Sequence, residues 1–170
     1  VLRKIAKEIL IKDITSPKIK KVLKEMSEAL ATQSDGVAIA APQIGYNLRI
    51  FVVSGKVFNP DFVRGRKNKG LKDNKPDAVF INPVITKLSK KKAWKQEGCL
   101  SVRPLWGEVE RSLNATVTAY NEKGKKFERG GGGLLAHIFQ HETDHLDGIL
   151  FIDKAKNVSK THPSERELAD

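Results

Sequence analysis

The chain has 170 residues, 39% of them hydrophobic, which suits one domain over residues 1–170 and leaves little room for a second. It carries 31 Lys and Arg against 20 Asp and Glu. The net charge of +11 favours anionic partners such as RNA, although it equally fits a surface that only keeps the protein in solution. The single cysteine excludes an intrachain disulfide, and no apolar run reaches the roughly 18 residues that span a bilayer. We therefore expect a cytoplasmic monomer that contacts no membrane.

Two helical patterns open the chain. Residues 1–11 carry apolar side chains at helical spacing and predict a short helix. Residues 17–32 predict a second helix, because Ser16 can cap it, Pro17 suits its first position, and its apolar residues form one face. We expect this N-terminal helix on the outside of the fold.

Strand patterns occupy the middle of the chain. β-Branched runs bounded by turn residues predict strands within 37–45, 48–55, 78–85, 93–102, 107–112 and 114–121. Residues 55–78 are polar and basic and predict an inserted loop, whereas 154–170 predict a short polar tail. The run Gly130–Gly133 fits no pattern, and flexibility near a functional site is one interpretation.

The last helical pattern carries a metal-site motif. His141, Glu142 and His145 form an HExxH sequence, in which the two histidines lie one turn apart on the same helix face. Glu142 lies about 100° further round the helix, where it can act as general base or acid for a water on the metal. The alternative is a helix with two buried histidines that are satisfied by hydrogen bonds. Central strands with helices at both ends predict an α+β fold, with mostly antiparallel sheets packed around this C-terminal helix.

A third ligand must come from outside the helix, because catalytic tetrahedral sites use three protein ligands and leave one position open. Cys99 is the candidate, and Gly98 before it permits close approach of the backbone. Taken alone, Cys99 is best explained as a small buried core residue, and a thiolate nucleophile paired with a histidine is the second alternative.

Three motifs together indicate a family. The sequences GVAIAAPQ at 36–43, EGCLS at 97–101 and HETDH at 141–145 occur in the order and at the spacing of peptide deformylases, and the chain resembles this family over most of its length outside 55–78. The resemblance implies a hydrolase that removes the formyl group from the N-terminal formylmethionine of nascent polypeptides and releases formate. It implies a metal held by Cys99, His141 and His145, with Fe²⁺ the usual ion and Zn²⁺, Ni²⁺ or Co²⁺ as substitutes.

The same resemblance assigns further roles. Glu142 would pass a proton from the attacking water to the leaving amine, while the Gln43 side-chain amide and the Leu100 backbone N–H would donate to the oxyanion. Arg111 would pair with Asp144 behind the metal ligands. The substrate would contact the first motif and the surroundings of Cys99 and of the last helix, at Gly36, Ala38, Ile44, Gly45, Glu97, Gly98 and Ile138.

The chain departs from the family pattern at two positions near the expected substrate. Ala38 replaces a glycine, and Trp106 stands where many members have an arginine thought to position the peptide. Three lysine clusters, at 64–75, 87–95 and 123–126, offer a contact for the ribosome surface.

Two other classes of protein share parts of the pattern. A zinc peptidase also carries HExxH but usually completes its site with His, Glu or Asp. An RNA-binding protein with structural zinc needs four protein ligands. No fourth ligand is predicted, because His137 is assigned to a different helix face and His162 to the tail.

Overall fold

A computed structural model describes residues 1–63 and 75–162 of the chain. Within these ranges the helices are α1 (Pro17–Ala31), α2 (Pro60–Val63) and α3 (Gly133–Leu146). The strands are β1 (Ala38–Ala40), β2 (Ile50–Val53), β3 (Ala78–Leu88), β4 (Lys92–Gly98), β5 (Trp106–Ser112), β6 (Asn114–Tyr120), β7 (Lys126–Gly132) and β8 (Lys156–Ser159). Short 3₁₀ helices occupy Ile11–Asp13, Ala41–Ile44, Gly55–Phe58 and Phe151–Asp153.

The strands form two antiparallel sheets. A five-stranded sheet has the order β1-β2-β3-β6-β7, and a three-stranded sheet has the order β4-β5-β8. Most neighbours are consecutive or nearly so in the chain, as expected for short antiparallel connections. The predicted α+β class with mostly antiparallel sheets is confirmed.

Helix α1 forms because its local sequence favours it at the start and along one face. The Ser16 hydroxyl accepts a hydrogen bond from the Ile19 N–H (3.4 Å), and Pro17 occupies the first helical position. Its apolar face packs in a core cluster with residues of β1 and β2, and burying each such side chain contributes roughly 1.5–3 kcal/mol. The buried positions on the helix are Ile19, Val22, Met26 and Leu30.

An aromatic cluster fixes helix α3. The Phe139 ring lies 5.3 Å from the Phe80 ring and 6.3 Å from the Phe51 ring, and the last two stack at 4.7 Å. All three side chains are fully buried. Because interiors are close-packed, this contact holds the helix at a defined height over β2 and β3. The same packing therefore fixes the position of the helix backbone that carries His141 and His145.

The predicted helix at residues 1–11 is wrong. Residues 1–10 contain no helix, and backbone hydrogen bonds instead tie this segment to distant parts of the chain. The Ala6 N–H donates to the Leu146 carbonyl (2.8 Å), and the Arg49 N–H donates to the Lys7 carbonyl (2.8 Å). The side-chain amide of Asn82 also bonds both backbone groups of Ile9. Tertiary hydrogen bonds thus outweigh a helix propensity worth only tenths of a kcal/mol per residue.

Several predicted strands have different ends. The strand predicted in 37–45 ends at Ala40, where the Gln43 side chain accepts the Ala40 N–H and a 3₁₀ helix follows. The strand predicted over 93–102 ends at Gly98, so Cys99 lies in the turn after β4. The polar tail is also partly ordered, because β8 pairs with β5.

The basic insertion predicted at 55–78 is described only at its two ends. The Gly55 N–H donates to the Asp77 carboxylate (3.0 Å), and Lys75 donates to the Phe58 carbonyl (3.1 Å). Residues 64–74 of this segment and 163–170 of the tail lie outside the described residues. The insertion therefore leaves and re-enters the fold at neighbouring points.

The glycine run marks the change from β7 to α3. A Cβ at Gly131 would lie 2.7 Å from the Leu135 side chain, and Gly133 has a φ of +56°. Glycine therefore allows the strand to turn directly into the helix, with close packing at the junction.

Candidate active site

The three predicted ligands come together in the structure. The Sγ of Cys99 and one ring nitrogen from each of His141 and His145 all lie within 4.8 Å of one another. Cys99 Sγ is 3.2 Å from Nε2 of His145, and the two imidazole centroids are 4.9 Å apart. One sulfur and two nitrogens at this spacing can bind a single cation.

The pairing of β4 and β5 brings the cysteine to this place. Gly98 lies opposite Trp106 in the antiparallel register, and a Cβ at Gly98 would lie 2.6 Å from the indole ring. A glycine is therefore needed where the ring covers the backbone. Cys99 follows directly and is buried beside Val109 and Phe151.

Glu97 is the hub of a buried hydrogen-bond network. Its carboxylate is 2% exposed and accepts bonds from Nε and Nη2 of Arg111 at 3.1 and 2.8 Å. His137 Nε2 lies 2.7 Å from Oε2 of Glu97, and Nδ1 of His141 bonds Oε1, so each carboxylate oxygen is shared by Arg111 and one imidazole. Burial by itself raises the pKa of Glu97, but the donors from His137, His141 and Arg111 hold it well below its ordinary value. The carboxylate therefore fixes the His141 ring, leaving Nε2 free to face the sulfur.

Arg111 links this hub to the next turn of α3. Its Nη1 donates to Asp144 at 2.6 Å, and Lys154 donates to the same carboxylate at 3.0 Å. Burial lowers the pKa of Arg111, and the hydrogen bonds and charges of Glu97 and Asp144 more than offset this, so the pKa is raised. The guanidinium therefore stays charged between its two carboxylates.

Glu142 occupies a buried position suited to proton transfer. Burial raises its pKa to about 7, with the positive charge of His141 opposing and the negative charge of Glu97 assisting this change. Its Oε2 is buried without a hydrogen-bond partner among the described residues. A carboxyl group that titrates near neutral pH can both accept and release a proton.

The two histidines respond differently to their surroundings. Burial lowers the pKa of His145 to about 3, and the charge of His141 adds to this effect, so its ring is neutral. Burial also lowers the pKa of His141, but hydrogen bonds to Cys99 and Glu97 outweigh it and raise the pKa to about 10. The groups around His141, including the carboxyls of Glu97 and Glu142, therefore stabilise positive charge. The same groups would stabilise a divalent cation held by these ligands.

A cavity of about 440 Å³ opens onto this group. The residues predicted for catalysis or substrate that line it are Gly36, Ala38, Gln43, Glu97, Gly98, Leu100, Ile138 and Glu142. Ile44 and Gly45 are not among its lining residues. Ile44 packs in the core beside α1, and Gly45 ends the 3₁₀ helix with a φ of +91°.

The side-chain amide of Gln43 is oriented by its neighbours. Its Oε1 accepts the Ala40 N–H at 2.7 Å, so the NH₂ group must face the other way. That NH₂ donates to the Ser101 hydroxyl at 2.9 Å and lies 3.7 Å from Cys99 Sγ. A donor is therefore held beside the ligand group.

Some cavity residues were missed from the sequence. The assignment of His137 to a different helix face is wrong, because it lies four residues before His141 and hence one turn away on the same face. The i, i+4 spacing was the signal that could have found it. Asp35 and Arg103 also line the cavity, and no motif in the sequence marked them. Lys95 lines it too, although the sequence had placed it only in a lysine cluster.

The fold and the site define a hydrolase with an HExxH helix and a cysteine in the turn that follows β4. Residues 1–161 match the family model described as polypeptide deformylase. A peptide deformylase of Desulforudis audaxviator is 39% identical over 160 residues, which cover 94% of this chain and 90% of the relative. Peptide deformylase 1A, chloroplastic/mitochondrial, of Arabidopsis thaliana is 39% identical over 155 residues, 91% of this chain and 57% of that protein. The crystal structure of a probable peptide deformylase from synechococcus phage S-SSM7 superposes with a TM-score of 0.73 at 35% identity and covers 90% of this chain and 92% of its own.

The chain belongs to the peptide deformylase family and is an enzyme. Among the described residues, the helices are all too short or too polar to cross a membrane.

Proposed function

We propose that this enzyme removes the formyl group from the N-terminal formylmethionine of nascent polypeptides. Water is consumed, the formamide C–N bond breaks, and formate and a free amino terminus are released. The observation that carries the proposal is the meeting of Cys99, His141 and His145 within 4.8 Å, beside the buried carboxyl of Glu142. Membership of the family supports the choice of a formamide as the bond that is cleaved.

Cys99, His141 and His145 would hold the metal. One thiolate and two imidazoles suit Fe²⁺, Zn²⁺, Ni²⁺ and Co²⁺ alike, and ferrous iron is the proposed native ion on family grounds. When bound, the ion supplies Lewis-acid polarisation of the formyl carbonyl and of the attacking water. Glu97 orients the His141 ring, and Arg111, paired with Asp144, orients Glu97.

Glu142 would move the proton. Its carboxylate takes a proton from the attacking water and delivers it to the leaving amine, which a pKa of about 7 suits in both directions. The NH₂ of Gln43 and the backbone N–H of Leu100 would donate to the oxyanion. The fixed orientation of the Gln43 amide supports this role, because a donor that is already aimed needs no reorganisation during the reaction.

The peptide would lie along the cavity between two sheet edges. Strand β1 is at one edge of its sheet and β4 at one edge of the other, and Ala38 and Gly98 on these strands both line the cavity. An extended chain can pair with such an edge through main-chain hydrogen bonds, which recognise many sequences. Gly36, Glu97 and Ile138 complete the proposed substrate wall. Ile44 and Gly45, which were also predicted to contact the substrate, do not line the cavity and are not part of this wall.

Cellular location and partners are proposed from the relatives and from the basic surface clusters. A cytoplasmic enzyme is the first choice, and the name of the plant relative makes an organelle the alternative. The lysine clusters at 87–95 and 123–126, together with 64–75, would contact ribosomal RNA while the enzyme acts as a monomer. Salt-sensitive co-sedimentation with ribosomes tests this contact.

The experiment that tests the function measures formate released from formyl-Met-Ala-Ser by enzyme loaded anaerobically with iron. We expect Glu142→Gln to lose roughly 10²-fold or more in kcat while the metal content stays unchanged. Glu122→Gln, a change at an exposed glutamate, is the matched control and should behave like the wild type. Cleavage of internal peptide bonds without formate would instead identify a peptidase, and tight RNA binding without hydrolysis would identify a zinc-stabilised binding protein.

A further inference from the structure

An ion pair joins the two walls of the cavity at its solvent end. Asp35 lies in the turn before β1, a strand of the five-stranded sheet. Arg103 lies in the turn between β4 and β5, which are strands of the three-stranded sheet. Nη2 of Arg103 donates to both carboxylate oxygens of Asp35, at 2.7 and 2.8 Å. Both residues line the cavity that contains His141 and Glu142.

The exposure of this pair separates it from the buried ligand group. The Arg103 side chain is 50% exposed and that of Asp35 is 60% exposed, whereas Cys99 is buried. An exposed ion pair adds little to folding stability, so stability does not account for its place at the cavity mouth. A peptide bound in this cavity can therefore contact the pair.

The mouth carries more positive than negative charge. Lys95 lines the same cavity, and Lys56 donates to the Ser34 carbonyl next to Asp35 at 3.0 Å. The hydrogen bond from Arg103 lowers the pKa of Asp35, which is therefore ionised at neutral pH, but it balances only part of the positive charge. Deeper in the cavity, Arg111 pairs with Glu97, and Glu142 is the other carboxyl that lines the wall.

Arg103 also keeps donors for a ligand. Among the hydrogen bonds between described residues, it uses only Nη2, and a guanidinium has further N–H groups on Nη1 and Nε. Asp35 holds the guanidinium plane in place, which reduces the entropy lost when a second carboxylate binds it.

We propose that Arg103, held by Asp35 and assisted by Lys95, is a specificity-determining residue that selects formyl peptides with acidic side chains beyond the second position. The inference rests on the proposed deformylase activity. The acidic side chain pairs with the free edge of the guanidinium at the cavity mouth, while the formyl end reaches Glu142 and the metal ligands.

The test compares two amidated substrates, formyl-Met-Ala-Asp-Asp-amide and formyl-Met-Ala-Lys-Lys-amide. Amidation removes the terminal carboxylate, which would otherwise bind the same arginine. At low salt we expect kcat/KM to favour the acidic peptide about two- to fivefold, with the difference in KM and little change in kcat. The preference should fall towards one in about 1 M salt, where the Debye length is about 3 Å.

Variants of the ion pair test whether it causes the preference for the acidic peptide. Arg103→Gln should reduce the acidic-to-basic ratio to about one, and Arg103→Lys should retain most of it. Asp35→Asn should increase the ratio, because the amide oxygen still accepts a hydrogen bond that orients the guanidinium while the competing negative charge is removed. The matched control is Arg3→Gln, which breaks the exposed Arg3–Asp153 pair, and neither of these residues lines the cavity. Arg3→Gln should leave the acidic-to-basic ratio unchanged.

The outcomes separate this inference from the proposed function. Equal turnover of the two peptides by the wild type, or a preference that survives Arg103→Gln, would overturn the role of Arg103 while deformylation stands. A lack of formate from formyl-Met-Ala-Ser would overturn deformylation itself. If Arg103→Gln fails to fold, as judged by its melting curve, an unchanged ratio in Asp35→Asn is still a contradiction.

Discussion

Replacing Arg111 with methionine tests how much the buried network beneath the site stabilises the fold. Arg111 is 4% exposed and donates hydrogen bonds to Glu97 and Asp144. Methionine fills much of the same volume but cannot donate, so the variant leaves a buried carboxylate without its cationic partner.

The magnitude follows from the burial of this pair. Removing one partner of a buried ion pair costs about 3–5 kcal/mol, because the remaining charge is desolvated and unpaired. Glu97 keeps only the imidazoles of His137 and His141, which places the expected loss within that range. For a chain of this length, 1 kcal/mol corresponds to about 2–4 °C in Tm, so Tm should fall by about 6–20 °C.

Urea unfolding followed by circular dichroism measures the loss in the free energy of unfolding, with metal-free protein used throughout. The matched control is Arg3→Met, which breaks an exposed pair and should leave the free energy of unfolding nearly unchanged. If Arg111→Met loses no more stability than this control at an unchanged m-value, the carboxylates are not held as described.

Three further changes probe the core, the ligand group and the cavity wall. Phe139→Ala should cost about 3–5 kcal/mol in urea unfolding, because its ring is buried between Phe51 and Phe80, whereas the exposed control Val84→Ala should stay within about 0.5 kcal/mol. Cys99→Ser should reduce iron retained after dialysis, since a hydroxyl replaces a soft thiolate; unchanged retention would exclude the sulfur as a ligand. Gly98→Ala should raise KM for formyl peptides by displacing the Trp106 ring, and an unaltered KM would show that the ring is not part of the substrate wall.

Local sequence was sufficient where the signal was itself local. The cap at Ser16 and the apolar face that follows it predicted α1 almost to the residue. The spacing of His141 and His145 fixed their common face for the same reason, since helix geometry depends only on neighbouring residues. At residues 1–11 a similar apolar spacing was misleading, because the partners of those backbone groups come from residues far along the chain.

Long-range pairings needed the folded structure. The sequence proposed Cys99 as a ligand because a third donor had to come from outside the helix, and a family resemblance strengthened this prediction. The 3.2 Å distance from its sulfur to His145, 46 residues away, is seen only in the folded structure. Glu97 was expected to contact substrate, and the structure adds a network that was not predicted, in which Arg111 and two histidines bond its carboxylate. No periodicity encodes such a network, because it depends on which strands are neighbours and in which register.

By itself, the sequence determined the chemical groups of this enzyme, namely one thiol, two imidazoles a turn apart and a carboxyl between them. The tertiary structure decided their environment, including the burial that raises the pKa of Glu142 and the pair of Asp35 and Arg103 across the cavity mouth. The physical reason is that side-chain identity and helical spacing are properties of adjacent residues. Burial and cross-sheet distance, by contrast, are properties of segments brought together only when the two sheets and α3 pack.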